Sequence, residues 1–163
     1  MFTRQVNTVE VTLALKSLHL LGVVLFVGNI VVTGWWKVAA DRTRNPVVVA
    51  FAQRQVTLTD WVFTLGGAVL LGVGGVVNAL VADLPLTAGW TGLGHGLFLA
   101  SGLVWGAILI PVQMRQHRMA LGFAGGGDIP AAYWRLGRVW LFWGAVATLL
   151  PLAAIPVMVW KIP

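Results

Sequence analysis

Residues 12–36 read TLALKSLHLLGVVLFVGNIVVTGWW, with Lys16 as the only full charge and a tryptophan pair at the end. A helix of about 20 apolar residues crosses a hydrocarbon layer of about 30 Å, so this stretch predicts a membrane span. Three further runs, 60–82, 89–112 and 136–160, meet the same criterion. The chain as a whole agrees: 58% hydrophobic and 10% charged residues over 163 positions leave too little polar surface to clothe a soluble globule. The predicted fold is therefore all-α, an integral membrane four-helix bundle made of two antiparallel hairpins in a single domain.

Charge fixes the expected topology. The connection 37–59 holds Lys37, Arg42, Arg44 and Arg54, and the connection 113–135 holds Arg115, Arg118 and Arg135 with Arg138 just beyond. The connection 83–88 holds only Asp83. The positive-inside rule makes the two basic connections cytoplasmic and puts both termini outside, periplasmic if the membrane is a bacterial inner membrane. Trp35, Trp36, Trp61, Trp90, Trp134 and Trp160 fall near predicted span ends, where an amphipathic ring suits the headgroup layer. The net charge of +6 is thus a topology signal rather than a nucleic-acid footprint. No small-residue cleavage site follows the first apolar run, so that span is expected to stay as a signal anchor. Asn45-Pro46 reads as an N-cap with proline at the first helical position, extending span 2 backwards through Phe51 and Arg54. Gly125-Gly126-Gly127-Asp128-Ile129-Pro130 reads as a turn before span 4.

The chain has no cysteine, which excludes disulfides, thiolate metal sites and covalent haem attachment. Neither a Ser-His-Asp set, a His/carboxylate cluster nor a nucleotide loop appears, so hydrolytic and nucleotide-driven mechanisms lack residues. What stands out is a pair of histidines. His19 lies about 10 Å along the helix from Thr12, and His95 about 9 Å from Gly89, so both enter the membrane from the same side to similar depth. Leu18-His19-Leu20-Leu21 and Gly94-His95-Gly96-Leu97 make spans 1 and 3 positional equivalents of a possible duplication. Two neutral imidazoles at matching depth predict axial ligation of one haem b between spans 1 and 3. Gly92, Gly102 and Gly106 share the His95 face and Gly22 lies one turn below His19, giving a side-chain-free groove for a flat macrocycle.

Each feature has a plainer reading beside it. Glycines four apart pack helices, and a single membrane histidine is often a hydrogen-bonded packing residue. Lys16, one turn outward of His19, either snorkels to the surface or pairs with a haem propionate. Asn29, Thr33 and Asn78 are expected in interhelical hydrogen bonds, with a quinone or proton route as the sharper alternative. Asp60 is expected to cap or to pair with Arg54, and His117 to be a solvated residue of the basic loop. Met114 and Met119 lie at the opposite depth from the two histidines and cannot share a haem with them.

The segment Leu15-Lys16-Ser17-Leu18-His19-Leu20-Leu21-Gly22, continuing to Gly28-Asn29-Ile30 and Thr33-Gly34-Trp35-Trp36-Lys37, resembles an uncharacterised bacterial family of four-span integral membrane proteins. More distantly, Lys16-x-x-His19 and the His95 run are similar to HemJ-type protoporphyrinogen IX oxidases and CopD-like membrane proteins. That resemblance implies a four-helix haem b bundle with His19 as a ligand. The HemJ-type pattern carries an aromatic-Leu-Pro-Arg run and a second histidine where this chain has Val31-Val32-Thr33-Gly34-Trp35-Trp36-Lys37, so the departure counts against that oxidation and leaves haem binding open. The expected function is electron transfer or oxidoreduction with a membrane quinone or partner redox protein. The rivals are a haem-free structural or assembly subunit of a larger membrane complex and a CopD-like small transporter. A homo-oligomer or larger assembly is expected for so small a bundle, with the lipid bilayer as the other partner.

Overall fold

The computed structural model describes residues 2–161, with side chains from Val9 onward. It contains four long helices: α1 (Phe2–Thr43), α2 (Pro46–Val81), α3 (Gly89–Phe123) and α4 (Ala131–Trp160). No strand occurs among the described residues. All four helices are long and apolar enough to cross a membrane. Helices suit that medium because every backbone N–H and C=O is satisfied within the segment, where lipid offers no partner. Large apolar side chains such as Val24, Leu103, Leu149 and Val159 point outward, as contact with lipid requires.

The backbones of α1 and α2, α2 and α3, α3 and α4, and α1 and α4 approach one another, whereas no Cα of α1 comes within 8 Å of a described Cα of α3. Spans 1 and 3 are therefore diagonal partners, joined across the bundle by the edge-on rings of Phe26 and Phe98, 5.9 Å apart.

The predicted spans lie inside longer helices. At about 1.5 Å per residue the 36 residues of α2 reach about 54 Å, well beyond the hydrocarbon thickness of about 30 Å. The residues expected to form two basic loops are mostly helical extensions, and the connections shrink to Arg44-Asn45 and 124–130. Asn45 caps α2 as expected, its side chain accepting from the N–H groups of Val47 (3.0 Å) and Val48 (3.3 Å), with Pro46 in the first turn. Gly126 and Gly127 turn the chain before α4 at φ of 108° and 113°, which a side chain would oppose. The basic end has a core of its own, Val49, Ala50, Ala120, Phe123 and Tyr133, with Met119, Ile129 and Trp134 packed against it. Where the extensions leave lipid, water restores a hydrophobic drive for such a cluster.

Towards the other end the helices are held by close backbone approach. A Cβ on Gly67 would lie 2.6 Å from the backbone nitrogen of Phe26, and one on Gly22 would collide with the backbone of Leu71. Small residues allow this contact, which is the usual source of cohesion between helices in lipid.

Two helices carry a wide turn. The Leu65 N–H donates to Asp60 O in α2, and the Ile110 N–H to Trp105 O in α3, each an i to i+5 bond. Pro111 accounts for the second: it has no N–H for the Ala107 carbonyl, and its ring resists a regular turn. Pro151 sits buried inside α4 and likewise releases the Ala147 carbonyl. Ser101 Oγ of α3 donates to that carbonyl at 2.7 Å, so the proline's missing bond is replaced from the neighbouring helix.

Candidate functional site

The wide turn of α2 changes which side chains face the bundle. It brings Asp60 and Thr64 inward together, both buried. The Asn29 amide of α1 donates to Asp60 Oδ1 (3.1 Å) and to Thr64 Oγ1 (2.9 Å), and Thr64 Oγ1 donates to the same carboxyl oxygen at 2.9 Å. Trp140 Nε1 of α4 donates to Gln113 Oε1 of α3 at 2.9 Å. Asp60 and Gln113 belong to the wall of one cavity of about 510 Å³, walled otherwise by Phe26, Phe98, Trp105 and Trp140. Its remaining wall comes mostly from α1 and α4, including Gly34 and Gly144, with Ala68 of α2 and Gly102 of α3, and its size falls in the range of small-molecule sites, about 300–1,000 Å³. The lining is aromatic and aliphatic with a few polar groups on one side, the composition that binds and orients an amphipathic molecule.

A second polar assembly lies further towards the basic end. Lys37 is 2% exposed, and its ammonium donates to Asp41 Oδ2 (3.1 Å) and to the Tyr133 hydroxyl (3.0 Å) while lying over the rings of Tyr133 and Trp140. Tyr133 OH donates in turn to Gln53 Oε1 at 3.1 Å, and Gln53 Nε2 to Thr57 Oγ1 at 3.4 Å. This is the one ion pair among the described residues.

The two histidines and most of the glycines singled out by sequence fall elsewhere. His19 is half-buried, its Nδ1 donating to the Leu71 carbonyl of α2 at 2.8 Å. His95 is half-buried too, its Nδ1 donating to Leu86 O of the short connection at 3.1 Å. Neither lines the cavity. Of the glycines expected to flank a macrocycle, Gly22 is pressed against Leu71 and Gly92 against the backbone of Thr87, whereas Gly102 and Gly106 have open space where a Cβ would stand. Gly102 alone of the four lines the cavity. Lys16 is exposed. Asn29 does bridge helices, but Thr33 bonds back to the Asn29 carbonyl of its own helix (2.7 Å), and Asn78 Oδ1 is buried without a partner. Two expectations need correction. Asp60 pairs with Asn29 and Thr64 rather than Arg54, because six residues of helix put Asp60 on the buried face of Gln53 and Thr57 while Arg54 stays exposed on another face. His117 is half-buried rather than solvated, with a buried and unpartnered Nδ1, because its loop is helix.

A family model described as a predicted integral membrane protein (DUF2269) matches residues 13–162. The chain belongs to that family. The match takes in all four helices, so the cavity and the polar assembly of this DUF2269 member are built wholly from the shared region. No curated protein and no solved structure matches it.

A weak sign of the cavity is present in the residue spacing. Gln53, Thr57, Asp60 and Thr64 recur at offsets of four, seven and eleven, one helical stripe of polar residues at the edge of an apolar run. Pro111 marked the irregular turn in α3.

Proposed function

We propose that this DUF2269 protein binds a lipid-soluble small molecule bearing carbonyl or hydroxyl groups, a quinone above all, in the cavity between α1 and α4. The supporting observation is a buried carboxyl held by two side chains on the wall of an apolar cavity of about 510 Å³. Ionisable groups are costly within a bilayer and mark functional sites there. The aromatic walls at Phe98, Trp105 and Trp140 suit a flat ring, while Asp60, Thr64 and Gln113 supply the hydrogen-bonding side. In this reading the basic end faces the cytoplasm of a bacterial inner membrane, the termini face the periplasm, and the bundle works as a homo-oligomer or with a partner redox protein.

Trp105 and Trp140 line the cavity, so their emission reports its contents. Titration of the reconstituted protein with a short-chain benzoquinone is expected to quench them saturably. Gly144→Phe, which fills the cavity, and Asp60→Asn, which removes its acid, are each expected to weaken binding about tenfold or more. Equal quenching in the parent and both variants rejects this site.

A second reading is favoured by the two histidines. With each Nδ1 proton held by a backbone carbonyl, each Nε2 keeps its lone pair, the tautomer of an axial ligand. His19 and His95 would hold haem b near the termini end, beside the open Gly102 and Gly106, and the haem would supply one-electron transfer to the cavity ligand. A dithionite-reduced minus oxidised spectrum tests it. A b-type spectrum lost in both His19→Ala and His95→Ala supports it, and no haem in folded protein overturns it.

A further inference from the structure

The buried polar side chains of the described residues are gathered in one place. All the buried polar residues except Thr91 and Ser101 lie between the level of Thr64 and the basic end; beyond Thr64 in α2 there is also the buried Oδ1 of the half-buried Asn78. They follow one another. Asp41, 22% exposed on its side chain, takes a bond from Lys37, Lys37 gives one to Tyr133, Tyr133 one to Gln53, and Gln53 one to Thr57. One turn further along α2 stands Asp60, in the cavity wall. Asp41 Oδ1 and Gln116 Oε1, along the same seam, are buried acceptors with no protein donor. Buried acceptors of this kind are completed by internal water, which suits a hydrated path.

In the other direction the seam closes. Beyond Asn29 and Thr64 come the buried ring of Phe26, set against Phe98, and the contact of Gly22 and Gly67 with the facing backbones. A Cβ has no room there, so a water molecule has none between the two helices either.

We propose that the seam is a one-sided proton path, through which Asp60 exchanges its proton with the aqueous phase at the basic end and not with the phase at the termini. Asn29 and Thr33 of α1, Gln113 of α3 and Trp140 of α4 surround the Asp60 region, and none of them titrates. The titratable and charged groups along the seam are Lys37 and Asp41 of α1, Tyr133 of α4 and His117 of α3, with Arg54 exposed on α2 itself. The path rests on the cavity reading in one respect: a molecule bound beside Asp60 draws its protons from the basic side.

The test uses the ligand-free protein, so a failure to bind quinone leaves it intact. Full-length protein is reconstituted in vesicles sorted by orientation, and an external pH jump is followed by infrared difference spectroscopy. Asp60→Asn assigns the carboxyl bands. With the basic end outward, those bands are expected to respond promptly; with the termini outward, only at the proton leak rate of the lipid. Tyr133→Phe and Gln53→Leu are each expected to slow the prompt response about tenfold or more. Two variants are used so that one folding failure does not decide the matter. Equal response from both sides, no response of the Asp60 bands at any pH, or unchanged rates in the folded variants overturns the path.

Discussion

At Tyr133 one side chain does two jobs that a single oxygen atom separates. Its ring, fully buried, stands edge-on to Phe123 at 5.4 Å and to Trp134 at 5.3 Å. Its hydroxyl links Lys37 to Gln53. Tyr133→Phe keeps the first and removes the second, leaving a buried ammonium and a buried amide each short of a partner. The expected loss is about 1–3 kcal/mol, read as a lower thermal midpoint in detergent. The glycines give a paired test. Gly67→Ala forces its Cβ onto the Phe26 backbone and is expected to destabilise by about 1–3 kcal/mol. Gly28→Ala meets nothing within 4 Å and is expected to be neutral or to stabilise by up to about 1 kcal/mol, since alanine is the better helix former. Equal midpoints for the two variants would mean that the α1–α2 contact is looser than described.

At the scale of the helix, Ser101 and Pro151 form a unit although they lie on different elements. The proline withholds a donor from Ala147 O and the serine supplies one. Ser101→Ala alone is expected to cost about 1–3 kcal/mol, and much less in a Pro151→Leu background, where the backbone reclaims the carbonyl. Additive losses in the double-variant cycle would dissolve the pairing. The wide turn of α2 offers a second test: deleting the exposed Val62 narrows it, brings Asp60 and Thr64 from four residues apart to three and rotates the helix on one side of the deletion against the cavity. Helical content by circular dichroism should persist while quinone quenching weakens about tenfold or more.

These elements also show where the sequence was legible. The four spans, the Asn45 cap and the glycine turn could be read directly, because each depends on local composition. The site around Asp60 could not: regular spacing sets Asp60 on the stripe of Gln53 and Thr57, but its partner Asn29 lies on another helix, and only the packing of α1 against α2 brings the two together. The histidines drew the eye as rare polar residues in apolar runs. The structure engages the Nδ1 of each with a nearby carbonyl, and it separately gathers amides, hydroxyls and one carboxyl into the cavity wall, residues individually too ordinary to stand out.

For the whole molecule, helix length matters most. Four helices of 30–42 residues exceed the bilayer, and the surplus carries Val47, Phe51 and Leu121 on its outer surface at the basic end. The chain has no native cysteine, so single-cysteine variants report position without background. Phe51→Cys and Leu121→Cys are expected to react readily with a membrane-impermeant maleimide from the basic side. Val24→Cys and Leu103→Cys, exposed in the bundle but within lipid, should react slowly from either side. Fast labelling at Val24 would place that part of α1 in water and move the membrane boundary.

The cavity wall shared by α1 and α4 lies where the bundle begins and ends, the one pair of neighbouring helices not joined by a connecting loop. If the cavity takes a membrane-dissolved molecule as proposed, those two helices would be the leaves of a door opening sideways into lipid, with the three connections holding the rest in register. A guest admitted that way arrives already dissolved in the membrane. On the proposed reading the occupancy of the site would be set by the guest's mole fraction among lipids, and dilution into a larger volume of water would leave it full.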